Sequence, residues 1–562
     1  MKSYVSLVLA AWFVSSALAA FSQVPPNAGS LQQNIENSLR QNPLPYRVAP
    51  KLFNESIVTP NEGVSFNLKR IVFSGNTLLS NSQVEQLTAP YVYRDIYFSQ
   101  LHALANDLEE AYRRLGRLAR VIIPEQQISD QTLRILIEES NLGEIKVQGN
   151  PKRVKPEQIS KTVAGTQNNG QLMNVGSLER GVLLADDLPG VAVGAVLTQG
   201  GAPLITDLLV NAIDEPMYYG SVQTDNLGPT SIGANRFIGN LNVNSPLGVG
   251  DLLSGVYLAT SGSNYERLSY SLPVGFDGLR LGINGSAMSY KLVSGQFQSL
   301  GATGQTSTGG LEALYPIIRS KLTNLYFGAN ADYRAFNNSN APSAVLSKYL
   351  VTDYSASLFL STQDLVGSAT NNLNIVVING NTNLNGSPNQ LGVISTNNAQ
   401  GSFTKTRYTA NRTLTLDTGF SAYANVTGQA TGANLDSSEM FYLGGMNGVR
   451  AYPTNEGAGS QGEIVTLELR KLIAQNTNIA LFYDYGHVQV NPNNAYVVIG
   501  VLNSYDQKGA GLSVGLKPTP KFDIKAVWAK RMGTDTNLTS TGTYQNGSTG
   551  STQLWLFASL GF

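Results

Sequence analysis

An alternation of apolar and polar residues recurs through residues 217–562 and constrains the fold more than any other feature of this chain. In residues 521–528, for example, every second residue is apolar or aromatic and three of the residues between them are charged. Successive side chains of a β-strand point to opposite faces, so such a strand has one apolar face and one polar face. Sixteen such segments begin near Met217, Ile232, Asp251, Asn264, Gly278, Thr308, Leu322, Lys348, Asn371, Ser402, Thr415, Gly462, Thr477, Gly509, Lys521 and Thr552. The pattern predicts an all-β, 16-stranded transmembrane β-barrel with lipid outside and a wet lumen inside.

The connections between these segments carry independent information. Those after even-numbered segments are mostly short, such as 319–321, 474–476 and 518–520. Those after odd-numbered segments are often long and rich in Asn, Ser, Thr and Gly, such as 381–400, 444–461 and 532–551. Short turns on one rim and long loops on the other are typical of outer-membrane barrels. We therefore assign residues 217–562 to the barrel.

Composition argues against several other classes of protein. Charged residues make up 14% of the chain, against roughly 25% in ordinary soluble proteins. Beyond the N-terminus there is no apolar run of about 18 residues, the length that a membrane-spanning helix needs. The formal net charge is zero, which gives no support for nucleic-acid binding. The chain has no Cys, so disulfides and thiol chemistry are excluded.

The first 65 residues are expected to be a leader and a linker. Residues 1–20 have the pattern of a signal peptide, with Lys2 as the only early charge, an apolar stretch over 4–14 and a small-residue cleavage site at 17–19. In residues 21–65, a short helix is expected over 30–41, with Leu31, Ile35 and Leu39 on one stripe. Four prolines between positions 43 and 60 then indicate an extended linker.

Residues 66–140 and 141–214 are predicted to be two α+β modules with the same element order, β-α-α-β-β, and the first module is expected to open with a single strand over 66–73. Each copy has Gly-Asn just after its first strand, in Ser74-Gly75-Asn76 and in Gln148-Gly149-Asn150. A three-stranded sheet leaves edge strands open, and an open edge can pair with an extended peptide through its main chain. Packing of one domain on another is the alternative use of such an edge.

The candidate functional residues begin in the Gly-rich loop over 444–461, which contains Val449, Arg450 and Tyr452. Two amphipathic strands follow, near 464–471 and 479–485. Their apolar faces should meet lipid, and their charged faces should meet the lumen. We expect this long loop to fold inward.

On the second of these strands, Phe482, Asp484 and Gly486 share the face that points into the lumen. Asp484 is therefore one expected partner of Arg450. Glu468, on the lumenal face of the first strand, is an alternative partner. A solvated loop arginine, paired with neither carboxylate, is the third possibility.

Two of these segments resemble a known family. Residues 449–452 are similar to the VRG(F/Y) loop motif of two-partner secretion transporters, and residues 482–486 to their FxDxG strand motif. These transporters form the haemolysin-activator and haemagglutinin-exporter group of the superfamily that includes BamA. Ala451 departs from the motif, which usually has Gly at that position. An Ala would be strained there if the position needs a positive φ.

The resemblance implies that the two modules are POTRA domains in the periplasm, that the N-terminal helix plugs the pore and that the barrel lies among the lipids of the outer membrane. It implies that the POTRA domains bind one large unfolded exoprotein, adhesin- or haemolysin-like, which the barrel secretes. The terminal Phe562, on a final amphipathic strand, resembles the signal read by the outer-membrane assembly machinery. No cofactor is implied.

Other functional classes fit the sequence less well than secretion. A factor that inserts other barrels would share the modules and both motifs, whereas a passive porin has no use for two periplasmic modules. An enzyme is not expected, because the only histidines are His102 and His487 and the chain has neither a spaced cluster of metal ligands nor a phosphate-binding loop motif. A Ser-His-Asp triad built on His487 is the one catalytic arrangement that the sequence leaves open.

Overall fold

A computed structural model of the chain describes residues 26–39, 65–128, 130–295, 298–340, 344–364, 368–388, 397–416, 419–493, 495, 502–533, 538, 542–544 and 546–562. The predicted signal peptide and most of the predicted linker lie outside the described residues. Within them, no helix combines the length and the apolar character that crossing a membrane would require.

The first module contains two helices, one three-stranded sheet and one two-stranded sheet. Its elements are β1 Ser65–Leu68, β2 Arg70–Ser74, α2 Asn81–Thr88, β3 Arg94–Tyr97, α3 Phe98–Arg114, β4 Ala119–Ile122 and β5 Thr132–Glu139. β5 is central, parallel to β2 and antiparallel to β4, while β1 pairs with β3. The single strand expected over 66–73 is thus divided at Lys69, which donates its N–H to the Gln131 carbonyl at 2.9 Å.

Helix α3 supplies much of the core of this module, because Leu101, Leu104, Leu108 and Tyr112 recur on one buried face. The Tyr112 hydroxyl lies 2.7 Å from Glu139 Oε1. Burial and this hydrogen bond raise the pKa of Tyr112. Burial alone would raise the pKa of Glu139, but hydrogen bonds from Thr77 and from Tyr112 outweigh it and lower that pKa.

The second module repeats the arrangement. Its elements are β6 Asn141–Gln148, α4 Pro156–Ala164, α5 Val175–Asp186, β7 Val191–Gln199 and β8 Ile205–Asp214. β8 is central, parallel to β6 and antiparallel to β7. The helices and the three-stranded sheet of each module therefore follow the predicted β-α-α-β-β order, with the last strand between the other two. The first module departs from the prediction by the extra pair β1 and β3, of which β3 lies between the two helices.

Sixteen antiparallel strands close into a barrel, in which β26 pairs with β9. The strands are β9 Tyr218–Asp225, β10 Arg236–Asn244, β11 Leu252–Ala259, β12 Ser263–Pro273, β13 Arg280–Lys291, β14 Thr303–Arg319, β15 Thr323–Asn340, β16 Ala344–Gln363, β17 Ala369–Asn383, β18 Gly401–Thr415, β19 Phe420–Thr431, β22 Gln461–Ala474, β23 Thr477–Gln489, β24 Ser504–Thr519, β25 Phe522–Arg531 and β26 Thr552–Gly561. Two short strands, β20 Phe441–Tyr442 and β21 Ala458–Gly459, pair outside the barrel sheet. The predicted fold class, α+β modules followed by a 16-stranded barrel, is confirmed.

The second module contacts the rim that carries the short turns. Arg319, at the end of β14, donates from Nε and Nη2 to the two carboxylate oxygens of Asp187, both at 2.8 Å. Arg180 of α5 donates to Asp277 at 3.0 Å, in the turn after β12. The long connections, including 432–460 between β19 and β22, therefore lie on the opposite rim.

Helix α1, Ala28–Leu39, lies inside the barrel. Leu31 and Ile35 are 0% and 1% exposed and pack against inward-facing strand residues. Gln32 donates to Thr308 Oγ1 at 2.7 Å, and Gln33 donates to the Met440 carbonyl at 2.8 Å. The helix begins two residues before the expected start at Ser30, because Asn27 accepts from the Ser30 N–H at 3.0 Å and caps it.

Candidate functional site

The connection over 432–460 folds into the barrel, where the apolar side chains at positions 449, 451 and 452 are packed. Val449 and Ala451 are fully buried and Tyr452 is 2% exposed. They form a cluster with Phe482 of β23 and Trp555 of β26, whose side chains point inward. The loop thereby crosses from the wall near β22 to the last strand of the barrel.

Arg450 sits between two strands and contacts both of the carboxylates that the strand pattern directs inward. Its Nη2 lies 2.8 Å from Asp484 Oδ1, and its Nε lies 2.9 Å from Asp484 Oδ2. Its Nη1 lies 2.6 Å from Glu468 Oε1. Asp484 also accepts from the Arg450 backbone N–H at 3.1 Å and from the Thr466 hydroxyl at 3.1 Å. The two partners that the sequence left as alternatives are engaged together.

This ion cluster is buried, so its stability depends on how its charges are paired. The Arg450, Asp484 and Glu468 side chains are 5%, 0% and 10% exposed. A buried charge is expensive unless paired and hydrogen-bonded, and a bidentate arginine–carboxylate contact supplies both. The guanidinium carbon also lies 3.4 Å from the centroid of the Phe482 ring, in cation–π contact.

Close packing against this loop requires glycine at several positions. A Cβ at Gly486 would lie 2.8 Å from Val449 Cγ2, and a Cβ at Gly448 would lie 1.9 Å from the Leu443 carbonyl oxygen. A Cβ at Gly509 would lie 2.5 Å from Ala451 Cβ. Ala451 does not have a positive φ. The side chain that replaces the usual Gly of the motif is thus accommodated by a missing side chain on β24.

Two further residues that the motifs did not indicate hold the loop backbone. Trp555 donates from Nε1 to the Arg450 carbonyl at 2.7 Å. Arg531 donates from Nε to the Ala451 carbonyl at 2.9 Å, and its guanidinium lies 3.4 Å from the Tyr544 ring centroid. Alternation alone could have placed both side chains on the lumenal face, but not against this loop.

A second buried ion cluster fixes the first part of the same loop. Glu439 is 2% exposed and lies 2.6 Å from Lys405 Nζ and 2.5 Å from Arg334 Nη2, while Arg334 also pairs with Asp353. The next residue, Met440, accepts the hydrogen bond from Gln33 of α1. The sequence analysis did not identify this cluster. The signal that could have indicated it is the presence of charged residues at inward positions of a barrel with few charges.

Phe562 lies at the seam where the barrel closes. Its N–H donates to the Gly220 carbonyl at 3.0 Å, which extends the pairing of β26 with β9. The side chain is 56% exposed, as are Leu554, Leu556 and Leu560 to similar degrees. The last strand therefore presents its apolar face outward.

His487 does meet an acid and a hydroxyl, on the outward face of β23 and β24. Its Nδ1 lies 2.7 Å from Asp506 Oδ1, and its Nε2 lies 3.3 Å from Ser504 Oγ. Strand register explains this contact, since His487 pairs with Asp506 and Gln489 pairs with Ser504. The described residues contain no group of three or more His, Cys, Asp or Glu side chains able to hold a metal ion.

Comparison with known proteins agrees with this fold. The family model described as "Haemolysin secretion/activation protein ShlB/FhaC/HecB" matches residues 205–517, and a model of the ShlB-type POTRA domain matches residues 66–140. The heme/hemopexin transporter protein HuxB of Haemophilus influenzae is 26% identical over 554 residues, which cover 96% of each chain. The outer membrane transporter CdiB of Escherichia coli O6:K15:H31 is 28% identical over 257 residues, or 44% of this chain and 43% of CdiB.

A solved structure supports the fold. CdiB from Escherichia coli superposes with a TM-score of 0.67 over 95% of this chain and 96% of that chain, at 18% identity. The family match favours exoprotein secretion over the barrel-assembly alternative, and the predicted outer-membrane location with periplasmic POTRA domains is confirmed. The chain belongs to the ShlB/FhaC/HecB family of haemolysin secretion/activation proteins, which are outer-membrane two-partner secretion transporters.

Proposed function

We propose that this transporter captures one large, adhesin- or haemolysin-like exoprotein in extended form on its POTRA domains and passes it through the barrel to the cell surface. The observation that carries the proposal is the docking of the second module at the short-turn rim, through Arg319 and Asp187, beneath a closed barrel. A captured segment is thereby delivered to the periplasmic mouth.

The sheet edges are the proposed capture surface. β2 and β4 are the edges of the first sheet, and β6 and β7 are those of the second. An edge strand offers unpaired N–H and C=O groups, so it binds an extended chain without requiring a particular sequence. That property suits an unfolded passenger.

Helix α1 and the loop over 432–460 are proposed to form the closed state of the pore. Both lie in the lumen, and the Gln33–Met440 contact joins them. The residues proposed to hold this state are Val449, Arg450, Tyr452, Phe482, Asp484, Gly486 and Glu468. Transport then requires at least that helix α1 leave the barrel lumen.

Biogenesis and membrane contact complete the proposal. The apolar outward face of β26, ending at Phe562, is proposed to be recognised by the outer-membrane assembly machinery. The exposed apolar side chains of the barrel wall are proposed to contact membrane lipid. The proposed leader over residues 1–20 exports the chain to the periplasm.

The test is a comparison of culture supernatants from cells with and without this protein, with restoration by the wild-type gene. We expect one large secreted protein to disappear on deletion while other barrels keep their abundance. Since HuxB is named a heme/hemopexin transporter, binding of hemopexin by the lost protein is worth assaying. An unchanged supernatant with several barrels depleted would contradict secretion and support the assembly factor.

A further inference from the structure

The outer wall of the barrel has a groove that runs from β9 to β17 and that the transport function does not use. Two adjoining cavities, of about 680 Å³ and 830 Å³, share Tyr257, Glu266 and Ala287 in their linings. Tyr257 of β11 is 46% exposed, whereas Tyr265, which adjoins Glu266 on β12 and points to the opposite face, is 1% exposed and packs in the lumenal core with α1. The groove is therefore on the side of the wall that faces the membrane.

Small residues in register form the floor of this groove. Gly285 pairs with Gly309, and one step nearer the long-loop rim Ala287 pairs with Ser307. A Cβ at Gly309 would meet nothing within 4 Å. Larger outward side chains flank the floor, because Gly285 also pairs with Leu268. A strip of missing side chains between large ones leaves an open channel along the wall.

The lining of the groove changes from apolar to polar along the strands. Its lower part is apolar and includes Val222, Leu241 and Leu268, which are 42%, 45% and 60% exposed. Its upper part, toward the long-loop rim, is lined by polar outward side chains: Asn264, Glu266, Ser289, Gln305, Asn337 and Lys348. Glu266 is the fourth residue of β12 counted from the connection over 260–262 on that rim.

Glu266 makes no hydrogen bond or ion pair within the part of the chain that the structure describes, although it points toward the membrane. A charge on the lipid face of a barrel is destabilising at hydrocarbon depth and tolerable near the headgroups. An unpaired carboxylate at this level therefore needs polar groups from outside the chain.

We infer that this groove binds a single outer-leaflet lipid with a saccharide headgroup, the acyl chain lying over Gly285 and Gly309 and the sugar lying against Glu266. A carboxylate accepts hydrogen bonds from hydroxyl groups, and neighbouring amides both donate and accept, so the set suits a polyhydroxylated ring. The ring of Tyr257, opposite Glu266 in the sheet, offers an apolar face to the same sugar. A headgroup without sugar lacks the hydroxyl groups that would donate to Glu266.

The site is independent of the exoprotein path, so it can be tested on purified full-length protein in detergent. The probe is a purified bacterial lipooligosaccharide, added to wild-type protein and to Ala287→Phe, Gly309→Leu and Glu266→Gln, with binding followed by native mass spectrometry. Ala526→Phe, on the outward face of β25 away from the groove, is the matched control. Folding of every variant is checked by heat-dependent gel mobility.

We expect saturable binding of one glycolipid to the wild type and to Ala526→Phe, and a loss of at least tenfold in Ala287→Phe, Gly309→Leu and Glu266→Gln. A diacyl phospholipid without sugar, and the oligosaccharide freed of its acyl chains, should each bind at least tenfold more weakly. Equal binding by folded groove-filled variants, or by either partial ligand, would overturn the proposal.

Discussion

The guanidinium of Arg450 donates hydrogen bonds to both carboxylate oxygens of Asp484, at 2.8 Å and 2.9 Å. Arg450 lies in a loop, whereas Asp484 lies in a strand that pairs with other strands on both sides. The same guanidinium reaches Glu468 on the neighbouring strand. One side chain therefore ties the inward loop to two adjacent positions of the wall. How firmly the loop is held depends on this contact.

Replacing Arg450 by Ala should release the loop. The buried Asp484 carboxylate loses its arginine partner, which costs about 3 kcal/mol or more when the charge remains buried, whereas Glu468 keeps Arg470 at 2.7 Å. We expect exoprotein secretion to fall at least about tenfold and proteolysis within 432–460 to accelerate. Arg412→Ala, which removes a barrel arginine bonded to Asn371, is the control and should leave both measurements unchanged. Normal secretion by Arg450→Ala would remove this ion cluster from the transport mechanism.

Gly448→Ala should disturb the same loop without removing a charge. Its Cβ would lie 1.9 Å from the Leu443 carbonyl oxygen, which accepts the Val449 N–H at 2.7 Å. Backbone cannot move aside as a flexible side chain can, so we expect overpacking to cost about 1–3 kcal/mol. Gly432→Ala, in the same loop with nothing within 4 Å of its Cβ, is the matched control. Equal rates of loop proteolysis in the two variants would contradict this account.

Ile35→Asp should expel α1 from the lumen. Ile35 is 1% exposed among apolar neighbours, and burying an unpaired carboxylate there is unfavourable. We expect larger single-channel conductance in planar bilayers and entry of antibiotics too large for the closed pore. Asn37→Asp introduces the same charge at an exposed position of the same helix and should behave as the wild type. An unchanged conductance for Ile35→Asp would mean that the helix does not limit the pore.

Removing the Asp187–Arg319 pair should loosen the second module from the rim. A double-mutant cycle of Asp187→Ala and Arg319→Ala should give a coupling energy of about 1–3 kcal/mol, since the Arg319 side chain is 8% exposed. The Arg180–Asp277 pair, whose carboxylate is 55% exposed, should give less than about 1 kcal/mol.

The chain has no Cys, so spin labels at Glu157→Cys and Asn476→Cys are unique and report the distance between module and barrel. Broadened distance distributions are expected in the Asp187 and Arg319 variants. Distance distributions that are as narrow in the Asp187 and Arg319 variants as in the Arg180 and Asp277 variants would show that the Asp187–Arg319 contact does not hold the module.

Tyr112→Phe should weaken the first module by about 1–2 kcal/mol, because a buried hydroxyl that bonds Glu139 is lost. Glu139 has a lowered pKa in the folded protein, so its contribution to stability is complete above its ordinary pKa and is lost as the pH falls through the folded value. The protection of residues 132–139 of the full chain against hydrogen exchange, taken relative to the intrinsic exchange rate at each pH, should therefore fall in acid for the wild type. This loss of protection should be smaller in Glu139→Gln, and an equal loss would contradict the linkage.

Much of the barrel follows from sequence, because strand alternation is a local property: each residue's face is decided by its neighbours in the chain. The sixteen strands were predicted in this way, whereas the short and long rims were predicted from the lengths of the connections and the module order from its repetition in the chain. The division of the first strand at Lys69 was missed, since its bond to the Gln131 carbonyl links residues far apart in sequence.

In the candidate site, too, local patterns predicted some features and long-range contacts decided the others. Local patterns sufficed to direct Asp484 and Glu468 inward and to mark Arg450 as their expected partner. Only the closed barrel decided that Arg450 contacts both acids, that Gly509 makes room for Ala451, and that Glu439 meets Lys405. These contacts join elements far apart in the chain, and they depend on strand register and on the path of the loop through the lumen, which no local periodicity encodes.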